Sequence, residues 1–295
     1  MPHTNDSLNT YFDTVLIVGV GLIGASLALS LKKNKSVGKV LGVGRSKSNL
    51  DDALQINAID EVVDLQSGVL RADLIVVCAP VSQTESILKE IAKNLKENTV
   101  ITDVGSTKMD VIIAAKNALA EKVCQFVPAH PIAGGAQHGS IAAQNDLFIN
   151  RQVIICPLQE NSASRVALIE NLWKSVGAHL FKMSALQHDS VFAAVSHLPH
   201  VLSYALMLQV ANAEDAETKF RHAGAGFRDF TRIAASSPEM WRDICMANRE
   251  SVLQEIDNYL SVVRHLQELI KQKDASGLEK LFSKASQSRK NWELG

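Results

Sequence analysis

The sequence predicts an α/β fold, a parallel sheet wrapped by helices, followed by an all-helical domain. Strand and helix signals alternate up to about residue 183, the pattern of a sheet whose crossovers are helices. From Ala185 onward the strand signals vanish and the chain reads as helices. The expected division is a sheet domain over 1–183 and a helical domain over 184–295.

The first strand, Val15–Val18, leads into Gly19-Val20-Gly21-Leu22-Ile23-Gly24 and then a helix-prone run from Ala25 to Leu31. Strand, GxGxxG turn and helix together are the fingerprint of a Rossmann-type domain, in which a dinucleotide pyrophosphate rests on the helix N-terminus. Gly19 permits the turn, Gly21 lets the backbone approach phosphate, and Gly24 lets helix and strand pack closely. The bland alternative is a glycine-rich turn with no ligand. Thr14–Leu31 is apolar enough for a hydropathy scan to flag, but the glycine spacing favours a buried strand-turn-helix over a membrane span.

The second strand, Val40–Val43, runs into Gly44-Arg45-Ser46-Lys47-Ser48. An acidic residue at this place accepts hydrogen bonds from the adenosine ribose of NAD, and here that place is Gly44. A guanidinium and a hydroxyl follow, which suit the 2′-phosphate of NADP, so Arg45 and Ser46 are cofactor candidates with NADP preferred and NAD possible. A solvated turn is the alternative.

Further strands are expected at Leu74–Ala79, Val100–Asp103, Gln125–Val127, Val153–Cys156 and His179–Phe181, with helices over Ser82–Leu95, Lys108–Ala120 and Ser162–Val176. In the helical half, Val252, Ile256, Tyr259, Val263, Leu266 and Ile270 recur at steps of four and three, a stripe for either an internal core or a subunit interface. The polar tail, Ser286–Gly295, is expected to fray.

With 46% hydrophobic and 21% charged residues, the chain of 295 residues is not disordered. A net charge of −1 without a dense basic run gives no footprint for nucleic acid, which leaves small molecules as partners. Four dispersed cysteines read as reduced thiols of a cytoplasmic protein, and Met1–Asp6 lacks the basic start and apolar core of a signal peptide.

One histidine stands out. His130, in Gln125-Phe126-Val127-Pro128-Ala129-His130-Pro131-Ile132-Ala133-Gly134, is the candidate general base, because imidazole titrates near neutral pH; its alternative is to cap a turn beside Pro131. Ser106 is either a site hydroxyl or the N-cap of the helix near Lys108. Arg232 either grips a carboxylate or pairs on a helix surface with Asp229 or Asp243. His197 and His200 lie three apart, yet Pro199 intervenes and no Cys or carboxylate falls at ligand spacing, so no metal is expected. His138, His188 and His222 read as solvated or packed.

Asp103-Val104-Gly105-Ser106-Thr107-Lys108, the His130 loop, Ser196-His197-Leu198-Pro199-His200, Phe227-Arg228-Asp229-Phe230-Thr231-Arg232-Ile233-Ala234 and Ser237-Pro238-Glu239-Met240-Trp241-Arg242-Asp243-Ile244 occur in one order. Together they resemble the prephenate and arogenate dehydrogenase family of tyrosine biosynthesis, from about Val15 to Ile244. The resemblance implies oxidative decarboxylation of prephenate to 4-hydroxyphenylpyruvate, of arogenate to tyrosine, or of both, with hydride transfer to NADP or NAD. By the same resemblance His130 takes the ring hydroxyl proton, Ser106 hydrogen-bonds that hydroxyl and His130, Arg232 binds substrate carboxylate and His200 lines the pocket. It also implies a homodimer through the helical domain. Two departures are Gly44-Arg45 in place of an acid, and Gly134-Gly135-Ala136-Gln137-His138-Gly139 where many members carry a Glu-Lys pair. The rival readings are another NADP-dependent reductase of similar two-domain architecture and a non-catalytic NADPH-binding regulator.

Overall fold

The computed structural model describes residues 11–135 and 137–292, as two compact units that divide after Asn248. The expectation for Met1–Asp6 lies outside the described residues.

The first unit opens with β1 (Phe12–Val18), α1 (Leu22–Lys33), β2 (Val37–Val43), α2 (Lys47–Gln55), β3 (Glu61–Val62), α3 (Leu65–Arg71) and β4 (Leu74–Val77). It continues through α4 (Thr84–Asn94), β5 (Val100–Asp103), α5 (Met109–Leu119) and β6 (Phe126–Val127). All six strands pair in parallel, in the order β3-β2-β1-β4-β5-β6. Chain order reverses between β1 and β4, and ligands of open α/β sheets bind in the crevice beyond the strand ends at that switch point. The central strands are apolar on both faces because helices cover both. Val15, Ile17 and Val76 pack with Leu27 and Leu31 on one side, and Leu16, Ile75 and Ile101 with Leu88, Ile91 and Val111 on the other.

The late strands correct the expectation of a single parallel sheet. Strands β7 (Ala129–Pro131), β8 (Gln152–Ile155) and β9 (His179–Lys182) form a separate three-stranded sheet, with β7 antiparallel to β8 and β8 parallel to β9 across α6 (Ala163–Ser175). Pro128 explains the break. It has no N–H to continue the β5–β6 ladder, the next N–H, of Ala129, goes to the Asp103 carboxylate instead (3.1 Å), and the Pro128 carbonyl accepts from Cys156 (3.0 Å). His130 therefore sits on a short strand rather than in a free loop.

The remainder of the first unit is helical: α7 (Ala185–Phe192), α8 (Leu198–Ala211), α9 (Ala216–Arg221), α10 (Ala225–Thr231) and α11 (Pro238–Ala247). A π turn over Ala193–His197 joins α7 to α8 in one continuous run. Pro199 cannot return an N–H to the turn before it, and the ladder widens directly upstream.

The second unit is a helical pair, α12 (Arg249–Lys271) and α13 (Ala275–Asn291), whose turn is capped by Asp274 accepting from the Gly277 N–H at 2.9 Å. Within α12 the predicted stripe is largely exposed at Tyr259, Val263 and Ile270. Residues expected to fray from Ser286 are helical to Asn291, with Arg289 and Lys290 in the last turn, where cations oppose the negative end of the helix dipole.

Candidate active site

At the switch point the backbone itself forms the wall of a cavity. Gly19 adopts φ +97°, and a Cβ there would stand 2.7 Å from the Cys78 carbonyl oxygen, so only glycine allows β1 and β4 to end side by side. Gly24 packs against Ile17 under the same constraint (2.7 Å). Nothing lies within 4 Å of a Cβ built on Gly21, which caps α1 and leaves that helix end open to the cavity. The pocket beyond β1 and β2, about 660 Å³, is lined by Gly19, Gly21, Arg45, Ser46 and Asn49. Ser46 caps α2 by accepting from the Asn49 N–H (3.3 Å), while Asn49 accepts from Ser140 N (2.7 Å) and fastens the loop after β7 beside the glycine turn. Gly44 leaves the ribose-side position without a carboxylate. These features fit a dinucleotide: open peptide N–H groups at a helix start, with one guanidinium and one hydroxyl beside them.

A second cavity of about 720 Å³ runs from Gly21 and Arg45 to Ser106, His130, Asp243 and Ile244. A third, about 530 Å³, holds Ser106, His130, His200, Arg232 and Trp241. Ser106 and His130 line both, so four residues scattered over the sequence, Ser106, His130, His200 and Arg232, converge where the cavities meet.

The reading of Ser106 as an N-cap does not hold: Lys108 occupies the cap position of α5, its own side chain makes no cap hydrogen bond, and the first N–H groups are taken by Asp189 instead. Arg232 begins the short 3₁₀ segment after α10 and points its chemistry at the cavity, while Asp243 is engaged by Arg242 (2.6 Å) and Ser82 (2.6 Å). His200 stacks on Trp241 with ring centroids 3.5 Å apart, and its Nδ1 meets the Ser196 carbonyl (2.9 Å). Burial, with the Arg232 charge adding to it, holds His200 below the ordinary imidazole value.

His130 is not alone. Its Nδ1 lies 2.8 Å from His188 Nε2, and His188 Nδ1 lies 2.7 Å from Asp189 Oδ1. The Asp189 carboxylate also accepts the N–H groups of Lys108 and Met109 at the start of α5, 2.8 Å each. Burial alone would raise the Asp189 pKa, but the His188 hydrogen bond and these two N–H donors outweigh it and leave the carboxyl below its usual range. The network then fixes the protons. An ionised Asp189 only accepts, so His188 Nδ1 donates to it, His188 Nε2 accepts, and His130 Nδ1 donates. His130 Nε2 is left with its lone pair free.

Electrostatics favour this neutral form. Burial, followed by the charges that His188, Lys108 and His197 bring when protonated, holds His130 well below 6.5, and burial holds His188 below it too. Lys108 is fully buried against Asp103, whose carboxylate also takes the N–H of Gly105, the neighbour of Ser106 (2.8 Å), and of Ala129, the neighbour of His130. One carboxylate thus anchors both site residues through their preceding peptides.

His188, read as solvated or packed, is packed, and what the sequence did not show is its bond to His130. The signal available in the sequence was the His188-Asp189 dipeptide one helical segment before Ser196–His200, and it lacked any mark of which histidine it would meet. His197 is buried beside Asn248 (3.2 Å), and burial lowers it to about 4.

Residues 27–182 match the family model described as prephenate dehydrogenase, nucleotide-binding domain, and residues 184–284 the prephenate dehydrogenase dimerization domain. The chain is 37% identical to the prephenate dehydrogenase of Bacillus subtilis over 96% of its own length and 76% of the relative's. It is 34% identical to the cyclohexadienyl dehydrogenase of Zymomonas mobilis, over 95% of this chain and 96% of that one. The crystal structure of Aquifex aeolicus prephenate dehydrogenase with hydroxyphenyl propionate and NAD+ superposes with a TM-score of 0.88 at 33% identity, covering 94% of this chain and 97% of that chain.

Proposed function

The chain belongs to the prephenate dehydrogenase family, and we propose that it oxidises prephenate, arogenate or both with loss of the ring carboxylate, as an enzyme of tyrosine biosynthesis. The observation that carries this reading is the His130–His188–Asp189 chain, which leaves His130 Nε2 to act as base, at the junction of a dinucleotide cavity and a cavity with an arginine.

His130 acts as the general base at Nε2, taking the proton from the substrate's ring hydroxyl. The positive charge it acquires is shared with His188 and balanced by Asp189. Ser106 hydrogen-bonds the same hydroxyl and holds it in line with His130. Arg232 binds a substrate carboxylate in the fork geometry a guanidinium favours, and His200, flattened on Trp241, walls the pocket. When bound, the nicotinamide accepts the hydride from the carbon that bears the hydroxyl. Gly19, Gly21 and Gly24 shape the cradle that holds the dinucleotide, with Arg45 and Ser46 at its adenosine end favouring NADP over NAD. Loss of the carboxylate as carbon dioxide leaves an aromatic ring, which drives the reaction.

The division of labour we assign is nucleotide binding by 1–183 and substrate closure and homodimer formation by 184–295. The description of the matched C-terminal family model supports the latter, as does the exposed apolar stripe of α12. Four unpaired thiols suit the reducing cytoplasm.

The test is NAD(P)H formation by purified protein with prephenate and arogenate, each run against NADP and NAD. Turnover of either cyclohexadiene, faster with NADP, is the expected result. No turnover in any of the four combinations by protein that binds NADPH would move the chain to the reductase or regulator reading.

A further inference from the structure

We propose that Asp243 is a cofactor-positioning residue whose carboxylate faces the cationic ring of the oxidised nicotinamide and so makes the site prefer the oxidised over the reduced dinucleotide. The inference deepens the dehydrogenase reading and rests on it.

Among the described residues that line the three cavities, Asp243 is the only acid. That is unexpected in a site whose other ligands are anions, since both the diphosphate and the substrate carboxylates are repelled by a carboxylate. The oxidised nicotinamide carries a positive charge that hydride transfer removes. To receive hydride, the ring must lie beside His130 and Ser106, and Asp243 on α11 lines the same cavity together with them and with Ile244, its neighbour in sequence.

The carboxylate is held in place and kept charged. Ser82, in the segment after β4, donates to Oδ2 at 2.6 Å, and Arg242 donates to Oδ1 through Nε (2.8 Å) and Nη2 (2.6 Å). The Ser82 hydrogen bond, followed by those from Arg242, keeps the Asp243 carboxyl below its usual pKa range. The Arg242 side chain is 63% exposed while that of Asp243 is 7% exposed, so solvent screens the guanidinium more than the carboxylate. The remaining fixed cation of this cavity, Arg45, shares its lining with Gly21, the start of α1. Asp243 does not line the cavity of Arg232 and His200, where the substrate carboxylate is bound.

The test needs no turnover. Calorimetric titration of the full-length protein with NADP+ and with NADPH is performed on the wild type, Asp243→Asn, Asp243→Glu and Ser82→Ala. Asp243→Asn is expected to weaken NADP+ binding about tenfold and to change NADPH binding by no more than about twofold, as loss of one part-screened unit charge predicts. Asp243→Glu keeps the charge and should restore most of the wild-type ratio of the two affinities. Ser82→Ala removes the hydrogen bond but not the charge, so its ratio stays near that of the wild type even if both affinities fall. Equal weakening of both forms in Asp243→Asn, or no change in either, would overturn the proposal and leave Asp243 as a structural tie to Ser82. A selective rise in KM for arogenate with an unchanged ratio would overturn it as well. Failure of the dehydrogenase reading itself registers elsewhere, as wild-type protein that binds dinucleotide and turns over neither cyclohexadiene.

Discussion

The dinucleotide cradle and the catalytic junction share a cavity wall but are built in opposite ways. The cradle is backbone: Gly19, Gly21 and Gly24 fall within six consecutive residues, and their function follows from what they lack, a side chain. The junction is side chain, assembled from distant positions. His130 meets His188 across 58 residues, and the Lys108 N–H meets Asp189 across 81. A local motif tolerates little substitution but is complete in itself, whereas a long-range network depends on the fold to bring each member to its partner and can be dismantled one group at a time.

That contrast can be broken experimentally, and the largest effect should fall on the junction. His130→Asn is expected to lower kcat by about 10²- to 10⁴-fold, the usual contribution of a positioned general base, while calorimetric binding of NADP stays near wild type. Loss of cofactor binding in that variant would mean the two regions are not separable. Asp189→Asn should cost about 10- to 100-fold in kcat, the scale seen when an orienting partner is lost, because the amide holds His188 in the wrong tautomer. Its KM for substrate should change little, and steady-state kinetics separates the two constants.

The cradle fails differently. Gly19→Ala forces a side chain into φ +97° and against the Cys78 carbonyl, which costs on the order of 1–3 kcal/mol for the backbone alone and should appear as a lower Tm together with lost dinucleotide affinity. Arg45→Ala should narrow the NADP-over-NAD ratio of kcat/KM by about tenfold, the loss of one charge-assisted hydrogen bond to phosphate, with NAD turnover nearly unchanged.

The smallest expected effect is on stability against pH. His130, His188, His197 and His200 all have folded-state pKa values below the ordinary 6.5, with His197 at about 4. Protons therefore bind the unfolded chain more tightly than the folded one. Stability from these groups is complete above pH 6.5 and declines as pH falls toward 4. A Tm series from pH 8 to pH 4 checks this, and it should run alongside activity that persists below pH 6.5, since His130 stays unprotonated there.

The same contrast decides what could be read from the sequence. The cradle was legible because glycine spacing and a preceding apolar run are local and point to one geometry. His130, Ser106, His200 and Arg232 were legible as a family pattern, and their convergence at one junction follows from the fold. His188 was not, since nothing near it in sequence indicates that the π turn over Ala193–His197 adds a residue between His188 and His200 along one continuous helix. The second sheet was hidden for a related reason: a strand's apolar run says that it pairs, while the choice of partner was made by Pro128 and the Asp103 carboxylate. The stripe on α12 read as either an internal core or a subunit interface, and within one chain Val252 is buried while Tyr259, Val263 and Ile270 are exposed.

The most direct test of the account is the tautomer of His130. In protein with ¹⁵N-labelled histidine, long-range ¹H–¹⁵N correlation at neutral pH should show His130 protonated at Nδ1 and bare at Nε2, with His188 also protonated at Nδ1. A proton on His130 Nε2, or an imidazolium at that position, would contradict the proposed relay and remove the base from which the reaction starts.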